Sequence, residues 1–369
     1  MKFRALFIIL ILIPSGAVLA RGETDKGKKA TEQQVERTIA ADPAVTVSIC
    51  VASASVTIHG WDKKEVVAQT EDSEIELQRK DATAGPNRAT RVEVLLVDKG
   101  EGLKTRRGCQ GFSDVTLNVP RGASVQVQTR DGNVSIAEVG SAYAGSQNGD
   151  INIEHVSRSI EVSTLGGSIS LKDSSGRVKV NSAGGSLEAS NLRPVDGSDG
   201  FEAVTVSGDI SLEKVSHALL TARTVNGNMN LTGPLARNGR YGFRTMSGDV
   251  TLAMPADASF QLAANLSSDC EIVTDFPLKL TTVEVSTTST SVTVASSAHT
   301  VTPAATSTPE PAPQSPNSKK AEPQVKVKVK VQPVVVVPYG LRRVNAVHGS
   351  GDAVITVASF SGTLHLQKI

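Results

Sequence analysis

Aromatic residues are scarce in this chain. One Trp, three Tyr and eight Phe make up 3% of its 369 residues. That scarcity argues against a thick globular core and against a surface lined with sugar-stacking rings. An excess charge of either sign is also missing: 38 Lys and Arg face 37 Asp and Glu, a formal net of +1. No global field draws the chain to nucleic acid or to acidic surfaces. Cysteine is nearly absent, with Cys50, Cys109 and Cys270 the three present. An odd count leaves one thiol over wherever a disulfide forms. Beyond the first twenty residues no run is long and apolar enough to cross a bilayer.

Those first twenty residues read as a signal peptide. Lys2 and Arg4 supply a basic start, residues 6–20 are mostly apolar, and Val18-Leu19-Ala20 fits the small-residue rule for cleavage between Ala20 and Arg21. The alternative is an uncleaved membrane anchor, which Pro14 and Gly16 interrupt. No Cys stands where a lipoprotein needs one. The expectation is an exported chain, secreted or periplasmic, with no transmembrane span after signal removal. It is soluble or held at the cell surface by contacts.

Val, Ser, Thr and Gly dominate the rest, and one small signature recurs: a Gly-centred turn followed by apolar–polar–apolar. The turn glycines are Gly132, Gly149, Gly167, Gly185, Gly208, Gly227 and Gly248, with Gly351 and Gly362 near the end. The steps from Gly132 to Gly248 are 17, 18, 18, 23, 19 and 21 residues. A short fixed period is the mark of a solenoid. After each turn an inward pair follows, as in Val134/Ile136, Ile151/Ile153, Ile169/Leu171 and Leu187/Ala189. The strand before the turn alternates too: Val125/Val127, Ile160/Val162, Val178/Val180, Val204/Val206, Leu220/Ala222. The outward residues then include Gln126, Glu161, Lys179, Thr205, Ser135, Asn152 and Ser170. Antiparallel hairpins are possible at Asn-Gly and Asp-Gly turns. But the same inward pair returns at the same phase in every unit, so parallel stacking places like residues above like. The fold class expected is all-β, a parallel β-solenoid (β-helix).

The chain divides accordingly. Residues 1–20 are the signal peptide and 21–40 a flexible leader. Residues 41–112 form an irregular N-terminal β cap and 113–300 the solenoid repeats, in one continuous stack over 113–282. Residues 301–324, rich in Pro, are expected to be a disordered insertion, and deletion of 303–323 is expected to leave the fold intact. Residues 325–369 supply C-terminal strands and closing coils. Cys50 and Cys109 both lie in the non-repeating N-terminal segment, beside strands expected to meet at the cap. They are expected to pair, leaving Cys270 in a far coil free.

Several segments carry a family likeness. They are Val56-Thr57-Ile58-His59-Gly60-Trp61-Asp62 with Glu65-Val66-Val67, then Leu117-Asn118-Val119-Pro120-Arg121-Gly122-Ala123, and the Ser-Gly-Asp turns. Asp275-Phe276-Pro277-Leu278 and the closing Gly349-Ser350-Gly351 and Ser361-Gly362-Thr363-Leu364 complete the set. The chain resembles a bacterial family of "putative adhesin" domains of unknown function built from β-strand repeats. The resemblance implies stacked β coils and surface interaction, and it brings no catalytic residues with it. Ser267-Ser268-Asp269-Cys270 stands in place of a Gly turn, and the Pro-rich stretch interrupts the last coils.

Candidate chemistry is thin. Asp150, Asp209, Asp249 and Asp352 follow turn glycines and could suggest calcium. But Asn133, Ser168, Ser186 and Asn228 hold equivalent positions, so turn capping is the better reading. His155, His217 and His365 fall in different coils without zinc-ligand spacing and read as solvated surface residues. No cofactor or metal is expected. Trp61 reads as a packed end-cap residue, with sugar stacking as the alternative. Lys326, Lys328 and Lys330 share one strand face, either a guard against edge pairing or a contact to an anionic polymer.

The function expected is a non-enzymatic, adhesin-like surface module or envelope scaffold. Its partner would be an envelope or surface protein or a glycan, with no nucleic acid. The alternatives are a carbohydrate-active β-helix enzyme, lyase or hydrolase, and a self-associating fibre.

Overall fold

Strict apolar–polar alternation commits each segment to strand, and Gly at fixed intervals commits it to turn again. The computed structural model describes residues 35–71, 73–81, 88–98, 109–267, 269–286 and 341–369. All regular structure among them is β, and no helix is long and apolar enough to cross a membrane. The signal peptide with Ala20 and Arg21, most of the leader, the insertion 301–324 and the Lys-rich strand lie outside the described residues.

The N-terminal part holds β1 (Val35–Ser53), β2 (Val56–Trp61), β3 (Glu65–Thr70), β4 (Ser73–Arg79), β5 (Ala89–Asp98) and β6 (Val115–Pro120). The repeats follow as pairs. They are β7 (Ser124–Asp131) with β8 (Val134–Ala137), β9 (Ser141–Asn148) with β10 (Ile151–Glu154), and β11 (Ser159–Gly166) with β12 (Ile169–Lys172). Next come β13 (Arg177–Gly184) with β14 (Leu187–Ser190), β15 (Gly200–Ser207) with β16 (Ile210–Glu213), and β17 (Leu219–Arg223) with β18 (Met229–Thr232). Then follow β19 (Arg240–Ser247) with β20 (Val250–Met254), and β21 (Phe260–Leu266) with β22 (Glu271–Thr274). Last are β23 (Lys279–Ser286), β24 (Leu341–His348), β25 (Ala353–Ser361) and β26 (Thr363–Lys368).

Each pair is one coil. Its first strand joins one parallel ladder, sheet B, and its second joins the other, sheet A. Val134, Ile151, Ile169 and Leu187 are direct register partners in succession, and so are Ile136, Ile153, Leu171 and Ala189. All eight are buried. The core is thus a set of vertical columns filling the thin space between two sheets. Where sheet B carries small side chains, as at Ala142 and Ala144, these are buried. Where it carries Phe201 or Tyr241, the added volume is also buried.

Both ends depart from simple sequential stacking. At the N-terminal end β1 and β2 form a regular coil. It lies between the coil of β5 and β6 and the coil of β7 and β8. Residues 45–61 are therefore a stack member and not an irregular cap. At the C-terminal end β25 pairs in parallel with both β19 and β21, and β26 with both β20 and β22. The last coil of the chain is second from the end of the stack, so the expected unbroken stack over 113–282 is split between Met254 and Phe260. The strands covering the ends are antiparallel: β3 on β6 and β4 on β5 at one end, β24 on β21 and β23 on β24 at the other.

Two further expectations change. The leader stops short of residue 40, because Val35–Ala40 of β1 pair with β3. The phase of β15 is reversed: Phe201, Ala203 and Thr205 point in, while Val206 is exposed and Val204 half-buried. Ala203 sits directly beside Val180 in the inward column, and that register overrides the local Val-x-Val pattern.

Candidate binding surfaces

The corner before sheet A is built from three ladders. The first is glycine. Gly132, Gly149, Gly167, Gly185, Gly208, Gly227, Gly248 and Gly362 all have φ between +110° and +154°. A Cβ on Gly149 would overlap the carbonyl oxygen of Gly132 beneath it, and one on Gly362 would overlap that of Gly248. Gly351 is not in this column; its neighbours are Gln261 and Val347, so the Ser350-Gly351-Asp352 copy of the signature is a connection between β24 and β25.

The second ladder is Asx. The Asn133 side chain accepts the N–H of Asp150 at 3.0 Å, and Asp150 accepts that of Ser168 at 2.8 Å. Higher up, Asp209 accepts from Asn228, Asn228 from Asp249, and Asp249 from Thr363. Each side chain thus holds the turn of the next coil, and Asn serves as well as Asp. The third ladder was missed in the sequence. Three residues before each turn Gly stands a buried hydroxyl: Thr129, Ser146, Thr164, Ser182, Thr205, Thr224, Thr245 and Ser359. Thr164 donates to the Gly166 carbonyl at 2.9 Å and Thr245 to that of Ser247 at 3.1 Å.

The opposite corner uses a different device. Glu138, His155, Asp173, Asn191 and Lys214 occupy the left-handed region, with φ of 48° to 60°. Each N–H donates to the next coil, as Glu138 does to Glu154 and Lys214 to Thr232. The next member of this column is Gly233, at φ +141°, whose N–H donates to the Ala253 carbonyl. The other five positions carry no glycine to mark it in the sequence.

The three cysteines are settled by position. Cys50 and Cys109 are disulfide-bonded, with Cα atoms 4.7 Å apart. Cys270 is a buried free thiol. His217, read from the sequence as a surface residue, is fully buried. Its Nε2 lies 2.8 Å from the Gly176 carbonyl, so that nitrogen carries the proton. Burial pushes its pKa down, opposed by the Gly176 hydrogen bond and by Asp199. Trp61 donates from Nε1 to the Glu65 carbonyl at 3.0 Å, and the Lys63 ammonium lies over its ring.

Two flat outer faces remain for function. On sheet A one column runs Thr57, Ser135, Asn152, Ser170, Glu188, Ser211, each register-paired with the next. On sheet B the central outward column runs Tyr143, Glu161, Lys179, Glu202 in consecutive coils. All four are exposed. Nearer the N-terminal end, Thr46, Ser48, Lys80, Arg91, Glu93 and Gln126 line a shallow open groove, where Lys80 pairs with Glu93 at 2.8 Å. Among the described residues no group of three or more His, Cys, Asp or Glu is placed to hold a metal ion.

Two solved structures resemble the chain weakly. A "putative cell adhesion protein" from Clostridium sporogenes aligns over 91% of this chain and all of its own, at 8% identity and a TM-score of 0.19. A "putative adhesin" from Parabacteroides merdae aligns over 61% of this chain and 92% of its own, at 10% identity and a TM-score of 0.28. At those scores neither carries an argument. No curated protein matches the chain. The sequence profile of Toastrack DUF4097 matches residues 45–307, from the first stack coil past the last sequential one. That span is well over half of the chain, which belongs to the Toastrack DUF4097 family.

Proposed function

We propose that this chain is an exported, non-enzymatic β-solenoid that binds a glycan or protein of the cell envelope through the outer face of sheet B. The observation behind this reading is the column Tyr143–Glu161–Lys179–Glu202. It combines an exposed ring with alternating charges at the coil spacing, about 4.8 Å per step. A flat array of this kind suits an extended, repeating polymer. The Cys50–Cys109 bond and the N-terminal apolar tract support an oxidising destination outside the cytoplasm.

The test is retention of the chain from Arg21 onward on isolated envelope glycan and, separately, on envelope protein. Binding should concentrate in one fraction and fall at least tenfold in Tyr143→Ala and Lys179→Ala. Retention unmoved by either change would place the contact elsewhere.

The same column favours a second reading, a carbohydrate-active enzyme. Glu161 and Glu202 flank Lys179 two coils apart, roughly 10 Å along the stack, close to the separation that inverting glycosidases use. Both carboxylates lie on an open, solvated face, which supports binding over turnover. Release of reducing ends from envelope polysaccharide, lost in Glu161→Gln, would favour the enzyme.

A further inference from the structure

Single exposed apolar residues are ordinary on a protein surface, but a continuous column of them is not. The position two residues before the turn Gly holds Leu165, Ala183, Val206, Val225, Met246 and Phe360 in six consecutive coils. Pairing of the flanking residues stacks each directly on the next. Leu165 is 64% exposed, Val206 49%, Met246 56% and Phe360 62%. In the two coils below, Arg130 and Gln147 hold the same position, so the stripe has a defined start. Its length is five coil steps, about 24 Å.

Two features select the occupant. The first is spacing. Side chains on the stripe recur at the inter-strand distance of about 4.8 Å, whereas one face of an extended peptide repeats every 6.6–6.8 Å or so and drifts out of step. A second β stack has the matching repeat. The second is charge. Two residues back from Val225 and Met246 stand Arg223 and Arg244, both exposed and without an ion pair among the described residues. Beyond the turn on the other side stand Asp209 and Asp249, also exposed. A two-fold axis running along the stack lays the basic flank of one copy over the acidic flank of the other. An axis across the stripe lays like over like.

We propose that the Leu165-to-Phe360 stripe is the contact face of a symmetric dimer, two copies of this chain packed side by side with their stacks parallel.

The experiment uses the chain from Arg21 onward, which keeps every described strand. Sedimentation from about 1 to 100 µM should show a reversible monomer–dimer equilibrium, as a small interface gives. Met246→Lys combined with Phe360→Lys should weaken it at least tenfold while leaving the thermal midpoint unchanged, since both side chains point to solvent. Val225→Cys supplies a separate readout: Cys270 is buried and the other two cysteines are bonded. Parallel packing predicts oxidative linkage of Cys at 225 to its own counterpart. A monomer at every concentration would overturn the proposal, as would a dimer indifferent to the two lysines. Preferential linkage of Leu165→Cys to Phe360→Cys between copies would also overturn it. A monomeric Val225→Cys protein that resists thiol reagents would assign the stripe to another part of the same chain, and equally overturn the dimer.

Discussion

The backbone N–H of Thr363 donates to the Asp249 carboxylate at 2.7 Å across 114 residues of chain. That bond ties the final coil into the middle of the ladder, between β20 and β22, and not onto the end of the stack. The consequence is mutual dependence. A protease nick between Ser286 and Leu341 should leave both fragments together on native gel filtration, because β24, β25 and β26 are each paired on two sides. The fragments should part in denaturant. Deleting residues 353–369 should instead expose the inward faces of β19 to β22 and give aggregation, read as loss of soluble protein. Soluble, folded protein after that deletion would contradict the intercalated coil.

The two corners predict opposite responses to substitution. Gly208→Val forces a β-branched residue to φ +148° and onto the Gly185 carbonyl. Strain and overlap together should cost about 2–4 kcal/mol. At the other corner Lys214 already bears the left-handed conformation at φ +52°. Lys214→Gly removes a steric cost of roughly 1 kcal/mol, partly offset by the freedom glycine gains unfolded. Denaturant midpoints should fall sharply for the first and stay level or rise for the second.

Much of this was legible in the sequence, for a physical reason. The turn glycines and the inward pairs after them recur at a constant offset, so the parallel register of Val134, Ile151, Ile169 and Leu187 follows from local spacing alone. The threading of the two terminal coils was not legible. A coil carries the same inward pattern wherever it inserts, and nothing local to Leu364 names Val250 and Ile272 as its neighbours. The β15 phase was misread because Val204 and Val206 mimic an inward pair. The signal that corrects it is Thr205, three residues before Gly208, where the seven other coils with a turn Gly each keep a buried hydroxyl. The left-handed column at Glu138 to Lys214 was not legible, since five different side chains tolerate the corner and only Gly233, one coil further on, marks it with a glycine. Of the sheet B face, Glu161 and Lys179 were legible as outward residues, but their stacking with Tyr143 and Glu202 needed the register.

If the Asx ladder is a hydrogen-bond device and not an ion site, charge should not matter to it. Asp249→Asn should be nearly neutral, because Asn228 performs the same task one coil below. Asp249→Ala should lose about 1–2 kcal/mol through an unpaired turn N–H at Thr363. Thermal midpoints with excess calcium and with chelator should coincide. A calcium-dependent rise would reassign the ladder to metal binding.

The Cys50–Cys109 bond closes a separation of 59 residues around the second coil of the stack. On the chain-entropy account its removal destabilises by roughly 4 kcal/mol. Cys50→Ala with Cys109→Ala should therefore lower the denaturant midpoint clearly. A reducing agent should do the same to the parent and nothing to the double variant. Equal midpoints with and without the bond would mean that β1 and its neighbours hold this end unaided.

His217 sets a pH limit on the fold. The imidazole is fully buried, its Nε2–H is given to the Gly176 carbonyl, and its Nδ1 has no partner among the described residues. A second proton would go to Nδ1 and leave a buried charge without an acceptor. Burial accordingly pushes the folded-state pKa below its ordinary 6.5, with the Gly176 bond and Asp199 opposing. The sign follows from that direction. Above the unfolded value of 6.5 the group is neutral in both states and its contribution is fully present. As pH falls below 6.5 the unfolded chain takes up the proton first, and stability drains until the folded pKa is passed. Thermal midpoints should therefore drop between about pH 7 and pH 5. His217→Gln keeps a donor for Gly176 without a titrating group, so its midpoint should stay flatter over the same range. Parent and variant falling in parallel would place the acid sensitivity in another group.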